Sequence, residues 1–330
     1  MKNGQAMNMS HVASMQSVQH VKTAGRGTRR QMLRDMTVGG MGLCIGTSML
    51  AGLCVAPDAN AMEPIKREGK QILKLSLAAY SLRKYFGQGK LDIPDFIQYC
   101  SKLGIGGGEL TSYFFPKVVT ADYLNKLKRE AHIAGIDISG GAIGNNFTIK
   151  PGAKLEQQKE HTLTWIKHYA ALGAAVIRVF AGRPEKGVSD DEAIRRCVPV
   201  LEEMCEVAGK HGVMLAIENH DFTTRIEPMM KIVKAVKSPW FAVNFDSGNF
   251  HSDDPYADMQ KIAPYAVNAQ IKIDIRPTGK PKQPADLKRV MKILKDGGYS
   301  GYVVLEYEGS DDAYKAIPGY IEKLREAIAV

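Results

Sequence analysis

The sequence predicts an α/β protein that folds as a single (β/α)8 TIM barrel, and three observations support this. From residue 73 to the end, short apolar runs alternate with amphipathic helical stretches. Eight such repeats fill residues 73–330, close to the usual barrel length of about 250 residues. The main alternative, an open doubly wound sheet, normally has a glycine-rich turn after its first strand. Here the sequence GIGGG at residues 104–108 precedes its strand, so we interpret it as a helix-to-strand loop.

Eight candidate strands follow one another along the chain. Each is a short run of apolar residues, as expected for strands that are buried on both faces. Their first residues are Leu73, Gly106, Ile136, Ala174, Val213, Phe241, Ala266 and Tyr302.

The stretches between the strands carry helix start and stop signals. Several begin with Asp, Ser or Thr, whose side chains accept hydrogen bonds from free backbone amides, and end on Gly. The clearest cover residues 92–104, 120–135, 155–173, 189–212 and 285–298.

Residues 1–61 do not resemble part of the barrel, and residues 62–72 read as a linker. Arg29 and Arg30 precede an uncharged, glycine-containing run at 36–57, and Ala59-Asn60-Ala61 offers a small-residue cleavage site. This arrangement resembles a bacterial twin-arginine (Tat) export signal. The resemblance implies recognition by the Tat machinery, a periplasmic or other extracytoplasmic location, and no stable membrane insertion once the leader is cleaved. The alternative is a retained membrane anchor.

Charge and cysteine content exclude several other classes. The net charge is +9, but residues 1–61 contribute four of these charges and the rest are mixed with acidic groups, so we expect no nucleic-acid surface. Three cysteines remain after the predicted cleavage site, at Cys100, Cys197 and Cys205. An odd number argues against a disulfide framework. The oligomeric state, including a homo-oligomer, stays open.

Polar side chains recur late in four consecutive strands. Chemistry in such barrels collects where strands end at the carboxyl-terminal face, so residues that share a row there are expected to meet. The four pairs are Glu218 with His220, Asn244 with Asp246, Gln270 with Lys272, and Glu306 with Glu308.

The acidic members of these pairs predict a metal site. Crowding Glu218, Asp246 and Glu306 at a barrel mouth would cost several kcal/mol unless a cation balances them. With the amide oxygen of Gln270 they offer four oxygen ligands. Such a set suits one divalent ion, with Mn²⁺ or Mg²⁺ preferred over Zn²⁺.

Four segments, AIENH, NFDSGNF, NAQIKI and VVLEYEG, resemble the sugar phosphate isomerase/epimerase group of xylose isomerase-like TIM barrels, over roughly residues 73–330. The resemblance implies that the metal ligands are Glu218, Asp246 and Glu306 plus a position on the seventh strand that is commonly His. This chain has Gln270 there, which we expect to weaken metal binding.

The resemblance also implies chemistry next to the carbonyl of a sugar-like substrate. A metal would stabilise an enediolate, with Glu218 and Glu306 as base and acid and Lys272 beside the oxyanion. Further substrate contacts are expected from His220, Glu109, Asn249 and His251. For Glu109 the alternative is a structural hydrogen bond, and for His251 it is a position at a helix entry.

Other functions fit the same pattern. An enediolate can expel a leaving group, so a lyase or hydrolase acting on a keto-glycoside is the alternative enzyme. Metal-dependent endonucleases of a related barrel family use several histidines that this chain lacks. A non-catalytic carbohydrate-binding barrel is the alternative outside enzymes, because Gln270 departs from the expected ligand.

Overall fold

The computed structural model describes residues 62–329. The predicted export signal at residues 1–61 lies outside the described residues. None of the helices between residues 62 and 329 has the length and apolar character needed to cross a membrane.

Eight parallel strands close into a barrel, which confirms the predicted fold class. In barrel order each strand pairs with its sequence neighbour, and the last pairs with the first. The barrel strands are β1 (Leu73–Ala78), β2 (Gly107–Thr111), β3 (Asp137–Ala142), β4 (Val176–Val179), β5 (Met214–Glu218), β6 (Phe241–Asp246), β7 (Ala266–Ile271) and β10 (Gly301–Leu305). Two short strands, β8 (Asp274–Ile275) and β9 (Gln283–Pro284), form a separate antiparallel pair in the loop after β7.

Helices alternate with the strands and surround the barrel. Their bounds are α1 (Arg83–Gly87), α2 (Ile93–Lys102), α3 (Ala121–Ile133), α4 (Ala153–Leu172), α5 (Asp190–Lys210), α6 (Ile226–Ala235), α7 (Pro255–Ile262), α8 (Leu287–Asp296) and α9 (Ala313–Ala329). All five helices predicted above are present within a few residues of the expected bounds.

The predicted capping residues act as expected. The side chains of Asp92, Thr120, Ser189 and Asp286 each accept a hydrogen bond from a first-turn amide. Gly173 ends α4 with φ of 84°, a left-handed conformation that glycine adopts without a Cβ clash.

The apolar core lies between the barrel and the helices. The apolar faces of the helices pack on the outward side chains of the strands, and Cys100, Cys197 and Cys205 are buried there as free thiols. The prediction that these three cysteines form no disulfide framework is therefore confirmed.

The segment before β1 packs against the amino-terminal end of the barrel. The backbone amide of Ile65 donates to the carbonyl of Pro264 at 2.9 Å. The Arg67 guanidinium donates to the carbonyls of Ala266 at 2.6 Å and Gly298 at 3.1 Å. Residues 62–72 contain no helix or strand, in line with a linker, yet they are bound to the barrel.

Two strands shift register next to polar residues. The β2–β3 pairing shifts between Gly108 and Glu109, and the β6–β7 pairing shifts between Val243 and Asn244. Bulges of this kind redirect side chains near functional sites. Glu109 and Asn244 both enter the polar network described below.

Candidate active site

The polar side chains of β7, Asn268 and Gln270, face the inside of the barrel. Asn268 and Gln270 donate hydrogen bonds to Glu109 across the barrel, while Ala269 and Ile271 lie in the apolar core. Lys272 follows the strand and contacts carboxylates at the carboxyl-terminal mouth. The row is therefore neither solvated nor part of the helix interface.

Lys272 is the centre of a group of three carboxylates. Its Nζ lies 2.6 Å from Glu306 Oε2, 2.6 Å from Glu308 Oε1 and 3.5 Å from Asp246 Oδ2. Burial opposes the charge on Lys272, but these carboxylates outweigh burial and raise its pKa well above the ordinary value. The ammonium is thus a permanent positive charge at the mouth of the barrel.

Arg178 is the second buried cation of the site. It lies on β4, with Nε 3.0 Å from Glu218 Oε2, and its Nη1 donates to the carbonyl of Ile143 at 2.8 Å. The Nε–H is not aligned for a hydrogen bond to that oxygen, so the contact with Glu218 is mainly electrostatic. Asn249 donates to the other oxygen of Glu218 at 2.8 Å. Both oxygens of Glu218 therefore have partners.

Asp246 is a buried carboxyl, and one of its oxygens accepts no hydrogen bond although it lies near Lys272. Its Oδ1 accepts a hydrogen bond from the amide of Gly248 at 2.8 Å, whereas Oδ2 has no hydrogen-bond partner. Burial raises the pKa of Asp246 to about 8; Lys272 opposes this shift, while Glu218 and Glu306 add to it. Burial also raises the pKa of Glu218, with Arg178 opposing and Glu306 adding to the shift. Asp246 and Glu306 thus share Lys272 as a close neighbour.

Glu109 does not reach the mouth as a substrate contact would. It is fully buried inside the barrel, where Oε1 accepts from Gln270 Nε2 and Oε2 accepts from Asn268 Nδ2, each at 2.6 Å. These contacts favour the structural hydrogen bond, the alternative stated above for Glu109, over a contact with substrate.

The same network determines the state of Gln270. Its Oε1 accepts a hydrogen bond from Asn244 Nδ2 at 2.6 Å, and Asn244 in turn accepts one from Asn268 at 2.7 Å. With Nε2 bound to Glu109, both ends of the Gln270 amide are in use. The amide oxygen predicted to bind a metal therefore faces Asn244 in this arrangement.

His220 lies at the rim of the mouth. Its ring lies 4.4 Å from that of Phe180, centroid to centroid, and Nδ1 lies 3.2 Å from Asp221 Oδ2. Burial opposes protonation of His220, but Asp221 and Glu218 outweigh it and raise the pKa. With 40% of its side chain exposed, His220 is accessible to a substrate at the rim.

A solvent-open recess of about 140 Å³ lies beside Lys272. Asn249 and His251, both predicted substrate contacts, line it after β6, and Glu308 lines it after β10. His251 is exposed and its backbone amide donates to the carbonyl of Thr224. The recess is therefore the place where these side chains and the Lys272 ammonium can contact one ligand.

The side chains, as arranged, do not fit the predicted divalent metal. Between residues 62 and 329, no group of three or more His, Cys, Asp or Glu side chains has a geometry that would hold a metal ion. Lys272 lies against Glu306 and Asp246, Gln270 is bound at both ends, and both oxygens of Glu218 have partners. Oδ2 of Asp246 accepts no hydrogen bond, but it lies 3.5 Å from Lys272 Nζ.

Sequence reasoning missed Arg178. The signal was present, because a charged residue interrupts the apolar strand AAVIRVFAG. A single basic residue in a strand does not reveal which carboxylate it meets, and the contact with Glu218 depends on the pairing of β4 with β5.

Comparison with known protein families gives the same architecture. Residues 97–327 match the family described as "Xylose isomerase-like TIM barrel". No match was found among curated protein sequences.

Several solved structures share the fold. D-psicose 3-epimerase from Clostridium cellulolyticum H10, solved with D-tagatose, has a TM-score of 0.63 at 18% identity, covering 77% of this chain and 99% of that chain. The 3-keto-D-glucoside 4-epimerase YcjR from E. coli has a TM-score of 0.61 at 14% identity, covering 78% and 100%. The IolI protein, whose crystal structure contains a zinc atom, has a TM-score of 0.63 at 18% identity, covering 77% and 96%. At these identities the likeness shows the fold.

Proposed function

The chain belongs to the xylose isomerase-like TIM barrel family, and on that premise we propose that it is a sugar isomerase or epimerase. The substrate is a sugar or keto-sugar, and the reaction moves a proton at the carbon next to a carbonyl. The similar structures that are themselves sugar epimerases support this proposal. The observation that carries it is the contact of Lys272 with Asp246 and Glu306 at the barrel mouth, next to Asn249, which donates to Glu218.

Topology supports Glu218 and Glu306 as the acid and base. In barrel order, β6 and β7 separate β5 from β10, so the two glutamates approach the mouth from different sides. One carboxylate removes a proton from the substrate carbon and the other returns one to the opposite face, which inverts that centre. Oδ2 of Asp246 accepts no hydrogen bond and lies 3.5 Å from Lys272 Nζ, and it is the acceptor we propose for a substrate hydroxyl.

The Mn²⁺ or Mg²⁺ ion expected from the sequence is not part of this proposal. Of the side chains that would hold it, Glu306 and Asp246 contact Lys272, Gln270 is bound to Asn244 and Glu109, and Glu218 contacts Arg178 and Asn249. The remaining steps need no such ion: the base takes the proton, the electron pair moves to the carbonyl oxygen, and the acid returns a proton to carbon.

The proposed location is outside the cytoplasm, supported by the twin-arginine-type sequence at Arg29 and Arg30. An exported enzyme would meet unphosphorylated sugars more readily than sugar phosphates. Fractionation of expressing cells tests the location.

Proton exchange with deuterated water tests the proposed reaction. Candidate ketoses and keto-glycosides are incubated with the protein, and loss of carbon-bound protons is followed by NMR. Glu218→Gln and Glu306→Gln should each slow exchange by at least about 100-fold, since each removes a proton-transfer group. The matched control is Glu326→Gln, a change at an exposed position on α9.

Product analysis separates the alternatives. An epimer or isomer supports the proposal, whereas an eliminated sugar identifies a lyase on the same site. If sugars bind but no carbon-bound proton exchanges with any candidate, the protein is a carbohydrate-binding barrel and the proposal is wrong.

A further inference from the structure

We infer that the Lys272 ammonium takes the place of a divalent metal ion in this site. The positive charge next to the carboxylates is then supplied by a side chain and not by a bound ion. The catalytic part of the inference, that the ammonium stabilises an oxyanion of the substrate, rests on the proposed function. Its structural part, that the site excludes a metal ion, rests on the contacts of Lys272, Arg178 and Gln270 alone.

The first argument is the position of Lys272. Its Nζ lies within 2.6 Å of Glu306 and 3.5 Å of Asp246, two of the carboxylates predicted to hold a metal. A divalent ion bound to both carboxylates would lie within a few ångström of the ammonium, where like charges repel strongly at low dielectric. The side chain is only 11% exposed, so it cannot extend into solvent to make room without losing its buried contacts.

The backbone around Lys272 restricts its movement. A Cβ built on Gly248 would lie 2.5 Å from Lys272 Cγ and 2.6 Å from its Cβ, so the loop after β6 packs directly on the lysine stem. The amide of Lys272 also donates to Ser247 Oγ at 2.8 Å. The chain therefore holds the start of this side chain in one place, and its ammonium ends among the carboxylates.

The second argument concerns the remaining predicted ligands. Glu218 is neutralised by Arg178, whose Nε lies 3.0 Å away, and its other oxygen accepts from Asn249. Gln270 is neutral and is bound to Asn244 and Glu109. Two built-in cations thus neutralise part of the acidic charge that the sequence analysis assigned to a metal.

The chemistry of an ammonium suits the same step. When the base takes a proton from carbon, the electron pair moves onto the carbonyl oxygen and gives an enediolate. A preorganised N⁺–H donor stabilises such an oxyanion. When the acid returns a proton to carbon, the pair moves back, so the sequence needs no oxidant, reductant or other reactant.

Metal content and metal response of the full chain, purified without a metal-affinity tag, test the inference independently of activity. We expect bound Mn, Zn, Fe and Co together to stay below about one ion per ten chains, because the Lys272 ammonium contacts two of the predicted ligands, Glu306 and Asp246. Neither EDTA nor added Mn²⁺ should change Tm, since a ligand that binds only the folded state would raise it. One tightly bound ion per chain, with a lower Tm after EDTA treatment, would overturn the inference.

Substitution at Lys272 provides the converse test. The double change Lys272→Gln with Gln270→His removes the ammonium and supplies an imidazole. It should bind Mn²⁺ at least roughly tenfold more tightly than the wild type, measured by calorimetry. Lys272→Arg keeps the charge and should leave Mn²⁺ binding as weak as in the wild type.

Lys261→Gln is the matched control, because Lys261 pairs with Asp258 alone on α7 and lies outside the site. If the double variant binds Mn²⁺ no better than this control, Lys272 is not what excludes the ion and the inference is wrong. Should the double variant fail to fold, the metal content of the wild type and the effect of EDTA on its Tm still test whether the site excludes a metal ion. If the protein is metal-free yet shows no proton exchange, the proposed function fails while metal exclusion stands.

Discussion

Glu109 illustrates at the residue scale how a buried carboxylate can serve the fold. Inside the barrel it accepts hydrogen bonds from Gln270 and Asn268, and those two amides also bond to Asn244. Buried polar groups of this kind need every partner, because an unpaired one costs about 1–3 kcal/mol. The network therefore fixes the rotamer of Gln270 just below the mouth.

The charge on Glu109 makes stability depend on pH. Burial and the charge of Glu306 raise its pKa from 4.5 to about 7, although hydrogen bonds from Gln270 and Asn268 oppose the shift. Because the folded-state pKa is raised, the contribution of Glu109 to stability is largest below pH 4.5 and falls as the pH rises toward 7. Glu109→Gln should remove this dependence, roughly 3 kcal/mol across that window.

Urea denaturation of wild type and Glu109→Gln at several pH values measures the difference. Glu326→Gln serves as the control, because it changes an exposed carboxylate of the same type. Parallel stability curves for wild type and Glu109→Gln would show that Glu109 does not titrate in this range.

At the scale of elements, β3 and α4 show why the barrel wall needs glycine. The Tyr169 ring of α4 lies over Gly141 of β3, and its hydroxyl donates to the carbonyl of Leu110 at 2.7 Å. A Cβ on Gly141 would lie 2.4 to 2.6 Å from three ring atoms. Because the hydroxyl anchors the ring, the helix can pack this closely only against a residue without a side chain.

Gly141→Ala should therefore lower the free energy of unfolding by about 1–3 kcal/mol, the usual cost of overpacking a core. Chemical denaturation measures the change. Gly106→Ala is the matched control, because a Cβ there would meet nothing within 4 Å. Equal stability of both variants would contradict the close contact between α4 and β3.

At the scale of the whole molecule, the segment before β1 ties together parts of the barrel that are distant in sequence. Arg67 donates to carbonyls near the start of β7 and before β10, and its guanidinium lies 5.6 Å from the Tyr299 ring centroid. Ala266 is the first residue of β7, and Gly298 lies in the loop that leads into β10. A short stretch of irregular chain thus helps to close the amino-terminal end of the barrel.

Arg67→Met should lower the free energy of unfolding by about 1–3 kcal/mol, because the carbonyl of the buried Ala266 and that of Gly298 both lose a charged donor. Thermal and urea denaturation check this, with Lys66→Met at the exposed neighbouring position as control. A variant as stable as the control would mean that the segment does not stabilise the barrel through Arg67.

The sequence by itself determined the architecture and the position of the acidic cluster. Apolar periodicity and capping residues are local properties, so the strand–helix order and the bounds of helices such as α5 followed directly. The alternation of side chains along each strand predicted that Glu218, Asp246 and Glu306, from three different strands, all face the barrel mouth. In the structure, Asp246 and Glu306 both lie within 3.5 Å of Lys272 Nζ.

Only the tertiary structure decided how the charges are balanced. Whether Lys272, Arg178 or a metal ion neutralises a carboxylate depends on the pairing of β4 with β5, the close packing of the loop after β6, and the register shift before Asn244. These contacts join residues that are far apart in the chain. They depend on side-chain positions to within about an ångström, and no local sequence pattern encodes such positions. Because electrostatic energies change steeply over such distances, the sequence could predict the acidic site but not the cation inside it.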